Sequence, residues 1–157
     1  MLKITINDRL SMSCPEDMQI LSPEEKRELD FLEVGPGECL RNQEKHILIS
    51  ISWKQLRGLG GSILATGDIA GGSEKQIRKA MTQYGYHMDG RISRRIGDIN
   101  ADGFEYTYTA DGVEMFGETL VAKDRRTVYY VHFYSRQEGK EENLEVLDYM
   151  LRTARWV

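Results

Sequence analysis

The chain contains little cysteine and little histidine, and both shortages argue against whole classes of site. It has two cysteines in 157 residues, Cys14 and Cys39, and neither belongs to a Cys-x-x-Cys pair. We therefore expect free thiols and no disulfide framework. The three histidines are separated by about 40 residues, without the close pairing of a zinc motif. No metal and no cofactor are predicted.

Long apolar runs and an excess of one charge are also missing. No window approaches the roughly 20 apolar residues that a membrane-spanning helix needs, and no basic leader precedes an apolar run. The net charge is −4, with both signs mixed along the chain. We therefore expect no nucleic-acid partner and no acidic disordered tail. The expectation is one domain, residues 1–157, in the cytoplasm of a bacterium.

The strongest helix signal covers Glu74–Tyr84. Ser73 and Gln76 form a predicted capping box, in which each side chain satisfies a backbone N–H that the first turn leaves free. Gly85 follows as a left-handed stop. One face of this predicted helix is apolar and consists of Ile77, Ala80, Met81 and Tyr84.

Two more helices are predicted. One begins at the Ser22-Pro23-Glu24-Glu25 segment and ends at Gly35. The other lies near the C-terminus, where Ser135 with Glu138 could cap it, although Gly139 would weaken that first turn. Its apolar face consists of Leu144, Leu147, Met150, Leu151 and Ala154.

Strands occupy much of the rest of the chain. Lys3–Ile6 and Leu10–Cys14 are short and alternating, and His46–Lys54 alternates large apolar residues with serines. Asp-Gly between two alternating runs is the strongest short hairpin signal, because both central residues of such a turn need positive φ. A two-residue loop at that point places Glu105 opposite Glu118.

The last predicted strand returns from a turn around Asp124-Arg125. That turn places Val131 beside Glu118 and His132 beside Gly117. The strand is apolar on both faces, so it belongs in the middle of a sheet that is covered on both sides. The sequence therefore predicts an α+β fold, an antiparallel sheet of about six strands with helices on both faces, which is an αβα sandwich.

Two stretches resemble the PsbP-like superfamily. "LSMSCPEDMQILSPEE" is similar to the strand, proline and early helix that open such proteins, and "INADGFEYTYTADGVEMFGETLVAKDRRTVYYVHFYS" is similar to their hairpin run. The superfamily includes the extrinsic PsbP protein of photosystem II, a nuclear-import factor that binds the GTPase Ran, and many small bacterial proteins without assigned activity. The resemblance implies an αβα sandwich and a binding or accessory role. It transfers no functional residue, because no photosystem-specific or Ran-specific motif is present.

The facing pair Glu105 and Glu118 is the first candidate site. Like charges directly opposite each other destabilise a sheet, so solvent, a nearby arginine or a bound cation should offset them. In a dry pocket one carboxyl would have a raised pKa and could serve as a general acid or base. The alternative is a partly exposed sheet end, where the carboxylates point apart into water.

His132 is the second candidate, in an aromatic setting beside Gly117. With Tyr106, Tyr130 and Tyr134 it could line a small ligand pocket. The alternative is core packing beneath a helix.

Two weaker candidates concern anions and acidic partners. Gly71-Gly72-Ser73 at a predicted helix N-terminus could bind an anion through free N–H groups, or be an ordinary cap after a flexible loop. The cluster Arg91, Arg94 and Arg95 could grip a phosphate or an acidic partner, or be a solvated sheet edge.

These observations favour a non-catalytic binding or accessory protein whose partner is another protein. The alternative is a small-ligand-binding protein or enzyme that uses the aromatic face around His132. A third hypothesis is an anion or nucleotide binder at the helix that Ser73 caps.

Overall fold

Two antiparallel sheets and three helices make up the described part of the molecule. The computed structural model describes residues 1–29, 35–58 and 63–157. The helices are α1 (Pro23–Arg27), α2 (Thr66–Ala80) and α3 (Lys140–Thr153). The strands are β1 (Leu2–Ile6), β2 (Leu10–Cys14), β3 (Gln19–Ile20), β4 (Gly37–Asn42), β5 (Ile47–Gln55), β6 (His87–Ile96), β7 (Ile99–Ala110), β8 (Val113–Asp124), β9 (Thr127–Arg136) and β10 (Arg155–Trp156). No described helix has both the length and the apolar character to cross a membrane.

The main sheet has seven strands in the order β3-β4-β5-β9-β8-β7-β6, rather than about six. All its neighbouring strands run antiparallel. A small second sheet has the order β1-β2-β10. Helix α3 packs on β2, β6 and β9, whereas α2 packs on β7 and β8. The predicted α+β sandwich with helices on both faces is therefore confirmed.

The main sheet buries side chains on both faces. Its α3 face packs against α3 and the small sheet, and its buried members include Phe116, Leu120, Tyr129, Val131 and Phe133. The opposite face, here the α2 face, buries Phe104, Tyr106 and Tyr134 with Ile77 and Met81 against them. Strand β9 is the fourth of seven, so the two-faced apolar strand lies in the middle as its pattern predicts.

The hairpin between β7 and β8 has the predicted register. Asp111 and Gly112 both have positive φ, 51° and 76°, and Glu105 faces Glu118. Asp-Gly therefore determines this register locally.

The predicted turn into β9 is wrong by two residues. Asp124 stays in β8 opposite Thr127, so that Phe133, not Val131, faces Glu118, and His132 faces Thr119. The carboxylate of Asp124 accepts hydrogen bonds from Arg9 at 3.1 and 2.9 Å, and this distant partner holds it in the strand. Because the error is an even number of residues, every side chain keeps its predicted face.

Helix α2 begins at Thr66, eight residues before the predicted start. Ser73 and Gln76 lie inside the helix, so the capping box between them is wrong. The predicted end at Tyr84 is also wrong, because α2 ends at Ala80 and a separate 3₁₀-helix follows at Thr82–Tyr84. Gly85 does adopt the left-handed conformation, but it ends this 3₁₀-helix. Contacts with the sheet extend the helix through three glycines. Thr66 donates to Asp102, and Arg91 donates to the carbonyl of Gly67 at 2.8 Å.

The other two helices agree in part with their signals. The capping box between Ser22 and Glu25 is present, but α1 ends at Arg27, and the predicted continuation through residues 30–34 lies outside the described residues. Helix α3 buries the predicted apolar face, including Leu147 and Leu151. Gly139 is its N-cap, so the predicted cap by Ser135 is wrong, because that residue belongs to β9.

The close approach of β7 and β8 yields a stability prediction. A Cβ on Gly103 would come within 2.0 Å of the carbonyl oxygen of Thr119. Gly103→Ala is expected to lower the free energy of unfolding by about 1–3 kcal/mol, because the strands must shift apart. Urea unfolding measures the change.

Gly72→Ala is the matched control. A Cβ at Gly72 would meet nothing within 4 Å, and the position is inside α2. Alanine there is expected to raise the free energy of unfolding by about 0.5–1 kcal/mol, since glycine loses more freedom in a helix. Equal stability of the two variants would contradict the packing of β7 against β8.

Candidate functional site

An ion-pair cluster on the α3 face is built around Glu118. This residue of β8 is fully buried. Arg94 of β6 places Nη2 at 3.1 Å from its Oε1 and Nε at 2.7 Å from its Oε2. The same guanidinium also pairs through Nη1 with Asp148 of α3. One arginine therefore connects two strands and a helix.

The register explains how Arg94 reaches Glu118 across an intervening strand. Arg94 faces Ala101 of β7, and Glu118 faces Glu105 two pairs further along the same face. Gly103 lies between these positions on β7. Glycine has no side chain, so no side chain of β7 lies between Ala101 and Glu105 on this face, which Arg94 spans to meet the carboxylate.

The electrostatics of Glu118 follow from this setting. Burial raises the pKa of Glu118 to about 7, and the Arg94 guanidinium opposes that rise. Glu105 and Asp148 add smaller upward contributions to the same pKa. Glu105 itself is only partly buried. Glu105 and Glu118 therefore face each other as predicted. Only the Glu118 carboxyl is fully buried, and Arg94 forms an ion pair with it.

A cavity of about 630 Å³ opens beside this cluster. Its lining consists of Arg94, Arg95, Glu145, Asp148, Leu151 and Arg152. Arg94 is part of the lining, whereas its buried partner Glu118 is not. The groups that face the cavity are therefore chiefly guanidinium groups and helix carboxylates, which suit binding of a charged group.

The second candidate, His132, lies on the opposite face. The rings of Tyr130, His132 and Tyr134 follow one another along β9, with centroids 6.3 and 6.4 Å apart. His132 Nδ1 is 2.9 Å from the hydroxyl of Thr119. Burial of the imidazole among these neighbours lowers its pKa to about 4, although part of the residue stays exposed. The ring is therefore neutral at neutral pH.

Tyr106 fills the gap that the sequence leaves at Gly117. A Cβ on Gly117 would come within 2.2 Å of Tyr106 Cζ, so the ring lies directly over this glycine. Tyr106 is fully buried and Tyr134 is 6% exposed. The ring of Tyr86 lies 5.3 Å from that of Tyr106, centroid to centroid. These two members of the predicted pocket are core residues in this structure.

The predicted anion site does not lie at a helix N-terminus, because α2 begins at Thr66. Gly71, Gly72 and Ser73 lie beyond the first turn of α2. Their backbone N–H groups therefore belong to the helix ladder and not to a free N-terminus.

The predicted candidates do not converge. Glu105 and Glu118 share the α3 face, whereas Tyr106, His132 and Tyr134 occupy the α2 face. Sequence reasoning missed the roles of Arg94 and Asp148. Arg94 was recognised only as part of a basic cluster, because its pairing with Glu118 depends on the registers of β6, β7 and β8 together.

Titration of Glu118 yields the next prediction. Its pKa in the folded protein, about 7, exceeds the ordinary value of 4.5. The folded state therefore binds more protons, and stability falls as the pH rises from about 4.5 to about 7, by roughly 3 kcal/mol at most. Glu118→Gln, which cannot ionise, is expected to lose this contribution, so that its stability falls less, or rises more, than that of the wild type in urea unfolding measured from pH 5 to pH 8.

Asp148→Asn is the matched control, since it removes the partner of Arg94 that is partly exposed. It is expected to keep the wild-type dependence of stability on pH. A wild-type slope retained in Glu118→Gln would show that Glu118 titrates normally.

His132 gives a prediction of the opposite sign. Its folded pKa of about 4 lies below the ordinary value of 6.5, so the unfolded state binds more protons. Stability contributed by His132 is thus lost as the pH falls from about 6.5 towards 4. An NMR titration of the imidazole is expected to have its midpoint near pH 4. A midpoint near 6.5 would mean that the ring is solvated.

Comparison with known proteins identifies the fold. No family model matches the chain, and no curated protein matches it. The solution structure of cyanobacterial PsbP from Synechocystis sp. PCC 6803 matches with a TM-score of 0.70 at 12% identity, over 99% of this chain and 92% of that one. LpqN of Mycobacterium tuberculosis, which is involved in cell envelope biogenesis, matches with a TM-score of 0.63 at 12% identity, over 94% and 83% of the two chains. A Bacteroides thetaiotaomicron structure matches with a TM-score of 0.59 at 14% identity, over 98% of this chain and 47% of the other. The chain therefore has the PsbP-like fold.

Proposed function

We propose that this chain is a bacterial, cytoplasmic binding or accessory protein that acts by contacting another protein. The observation that carries the proposal is that Glu118 and His132 lie on opposite faces of the sheet, each engaged by its own neighbours. A general acid and a general base must both reach one substrate. Two groups separated by a sheet do not meet that requirement, which supports binding over catalysis.

The structural neighbours are compatible with this role. LpqN is involved in cell envelope biogenesis. An accessory role in this chain would need a contact surface and no reaction centre.

The outer edge of β6 is the surface that we propose for the partner. This ten-residue strand ends the main sheet, and within residues 1–29, 35–58 and 63–157 no strand pairs with its outer side. Tyr84 and Met88, 42% and 36% exposed, place apolar surface at its start. Free N–H and carbonyl groups on such an edge accept an extended segment of another protein.

The same edge has features that limit pairing with itself. The register shifts between Met88 and Gly90, and Arg91 and Arg95 are exposed along the strand. Two such edges would bring arginines together, and bulges and charges discourage association of identical sheets. A different protein therefore suits this edge better than a second copy of the chain.

Site-specific photo-crosslinking tests the proposal. A photoreactive residue at Met88 is expected to yield a discrete adduct with one protein in bacterial cells. The same residue at Lys75, which is exposed on α2, is the control and is expected to yield none. No adduct at Met88, or equal adducts at both positions, would count against a partner on β6.

A second candidate is small-ligand binding at the ring series of β9. Tyr130 and His132 are only partly buried, so their stacked faces retain some access. A thermal-shift screen compares wild type with His132→Ala. A compound that stabilises only the wild type would favour this candidate, because binding to the folded state raises its stability.

A further inference from the structure

A second cavity, of about 470 Å³, lies where the end of α3 meets the small sheet. Its lining consists of Lys3, Ser11, Ser13, Tyr149, Arg152, Thr153 and Arg155. Three of these side chains are cationic and four carry hydroxyl groups. The lining contains no carboxylate, in contrast with the cavity beside Arg94.

The strand register brings these residues together. Lys3 faces Ser13, and Ser11 faces Arg155, so the four share one face of the small sheet. The alternate residues of β1 and β2, such as Ile4, enter the core. The polar face is therefore the outer one, and β1, β2 and β10 all contribute to it.

Helix α3 closes one side of the cavity. The Ser13 N–H donates to the Thr153 hydroxyl at 3.0 Å, which fixes the end of α3 against β2. The Thr153 hydroxyl in turn lies 3.0 Å from the carbonyl of Met150. Tyr149, about one turn before the helix end, and Arg152, in the last turn, then face the same space.

Several donors in the cavity are uncommitted in the described part of the chain. Arg152 donates from Nε to the carbonyl of Asp148 at 3.4 Å, and Arg155 donates from Nη1 to the carbonyls of Ala154 at 2.9 Å and Arg152 at 3.4 Å. The remaining guanidinium N–H groups, the Lys3 ammonium and the Ser11 hydroxyl make no other hydrogen bond or ion pair within these residues. They are available to a ligand.

Compensation of the helix dipole explains only part of this arrangement. Cations near a helix C-terminus are stabilising, and this accounts for Arg152 and Arg155. It does not account for Lys3 on β1, nor for the hydroxyl groups between the cations.

We propose that this cavity binds a phosphate group. A phosphate carries several acceptor oxygens and up to two negative charges, and arginine and lysine both bind it well. Three cations and the Ser11 hydroxyl supply more donors than the two oxygens of a carboxylate can accept, whereas the hydroxyls of Tyr149 and Thr153 already donate to Met1 and to backbone carbonyls. The volume lies in the range of small-molecule sites, so the phosphate can belong to a larger molecule. The site is independent of the partner surface on β6.

Inorganic pyrophosphate is the probe for the first experiment. Isothermal titration is expected to find saturable binding to the wild type. The variant Lys3→Gln/Arg152→Gln/Arg155→Gln is expected to bind at least about tenfold more weakly, which corresponds to about 1.4 kcal/mol. The variant Lys54→Gln/Lys75→Gln/Lys79→Gln removes the same charge from exposed positions elsewhere and is expected to stay within about twofold of wild type.

Two outcomes would overturn the site. One is no saturable binding by the wild type, and the other is equal weakening in both variants, which would indicate diffuse attraction. The single variant Lys3→Gln tests whether the weaker binding of the triple variant comes from misfolding. Lys3 is exposed and makes no hydrogen bond or ion pair within the described residues, so its replacement should leave the fold unchanged. It is expected to weaken binding at least about threefold without changing the unfolding temperature.

Vesicles identify the source of the phosphate. Phosphatidylcholine vesicles with and without phosphatidylglycerol are compared in a flotation assay. Flotation that needs the anionic lipid and is lost in the site variant assigns the site to a lipid headgroup. Pyrophosphate binding without flotation assigns it to a soluble phosphate compound.

Discussion

The contact between Arg94 and Glu118 is the constraint on which the arrangement of this molecule depends. A carboxylate that is fully buried in a sheet is costly unless a charged partner meets it. Arg94 can meet it only if β6, β7 and β8 keep their registers, and Asp148 then brings α3 onto the same guanidinium. The edge strand, the central hairpin and the last helix thus share one electrostatic connection. The two cavities that contain Arg152 lie beside this helix.

Each face of the main sheet contains a titratable group with a shifted pKa, Glu118 on one face and His132 on the other, and these two pKa values shift in opposite directions. Burial favours the uncharged form of both groups, so it raises the pKa of Glu118 and lowers that of His132. Between about pH 4.5 and 6.5 the two contributions to stability therefore change in opposite directions and partly cancel. The wild-type protein is expected to show a flatter dependence on pH than either group alone would impose.

Local patterns in the sequence were sufficient to predict some of these structural features, such as the β7–β8 hairpin. Asp111-Gly112 determines the register that brings Glu105 and Glu118 together, because its backbone conformation depends on two residues alone. The next turn could not be placed, since Asp124 is held by Arg9, more than a hundred residues away. The start of α2 was missed for a similar reason, because contacts with the sheet outweigh the helix penalty of its glycines. The pairing of Arg94 with Glu118 requires three strand registers at once, which no local pattern contains.

The small sheet has a consequence for the order of folding. Leu10 and Ser11 of β2 pair with Trp156 and Arg155 of β10, so segments more than 140 residues apart in sequence must meet. A contact of such long sequence separation has a high cost in loop entropy and forms late. The hairpins of the main sheet join neighbouring residues and can form while synthesis continues. The outer face of the small sheet is therefore completed only after β10 has been synthesised and has paired with β2, and a ligand that binds this face would bind only chains in which the two segments have met.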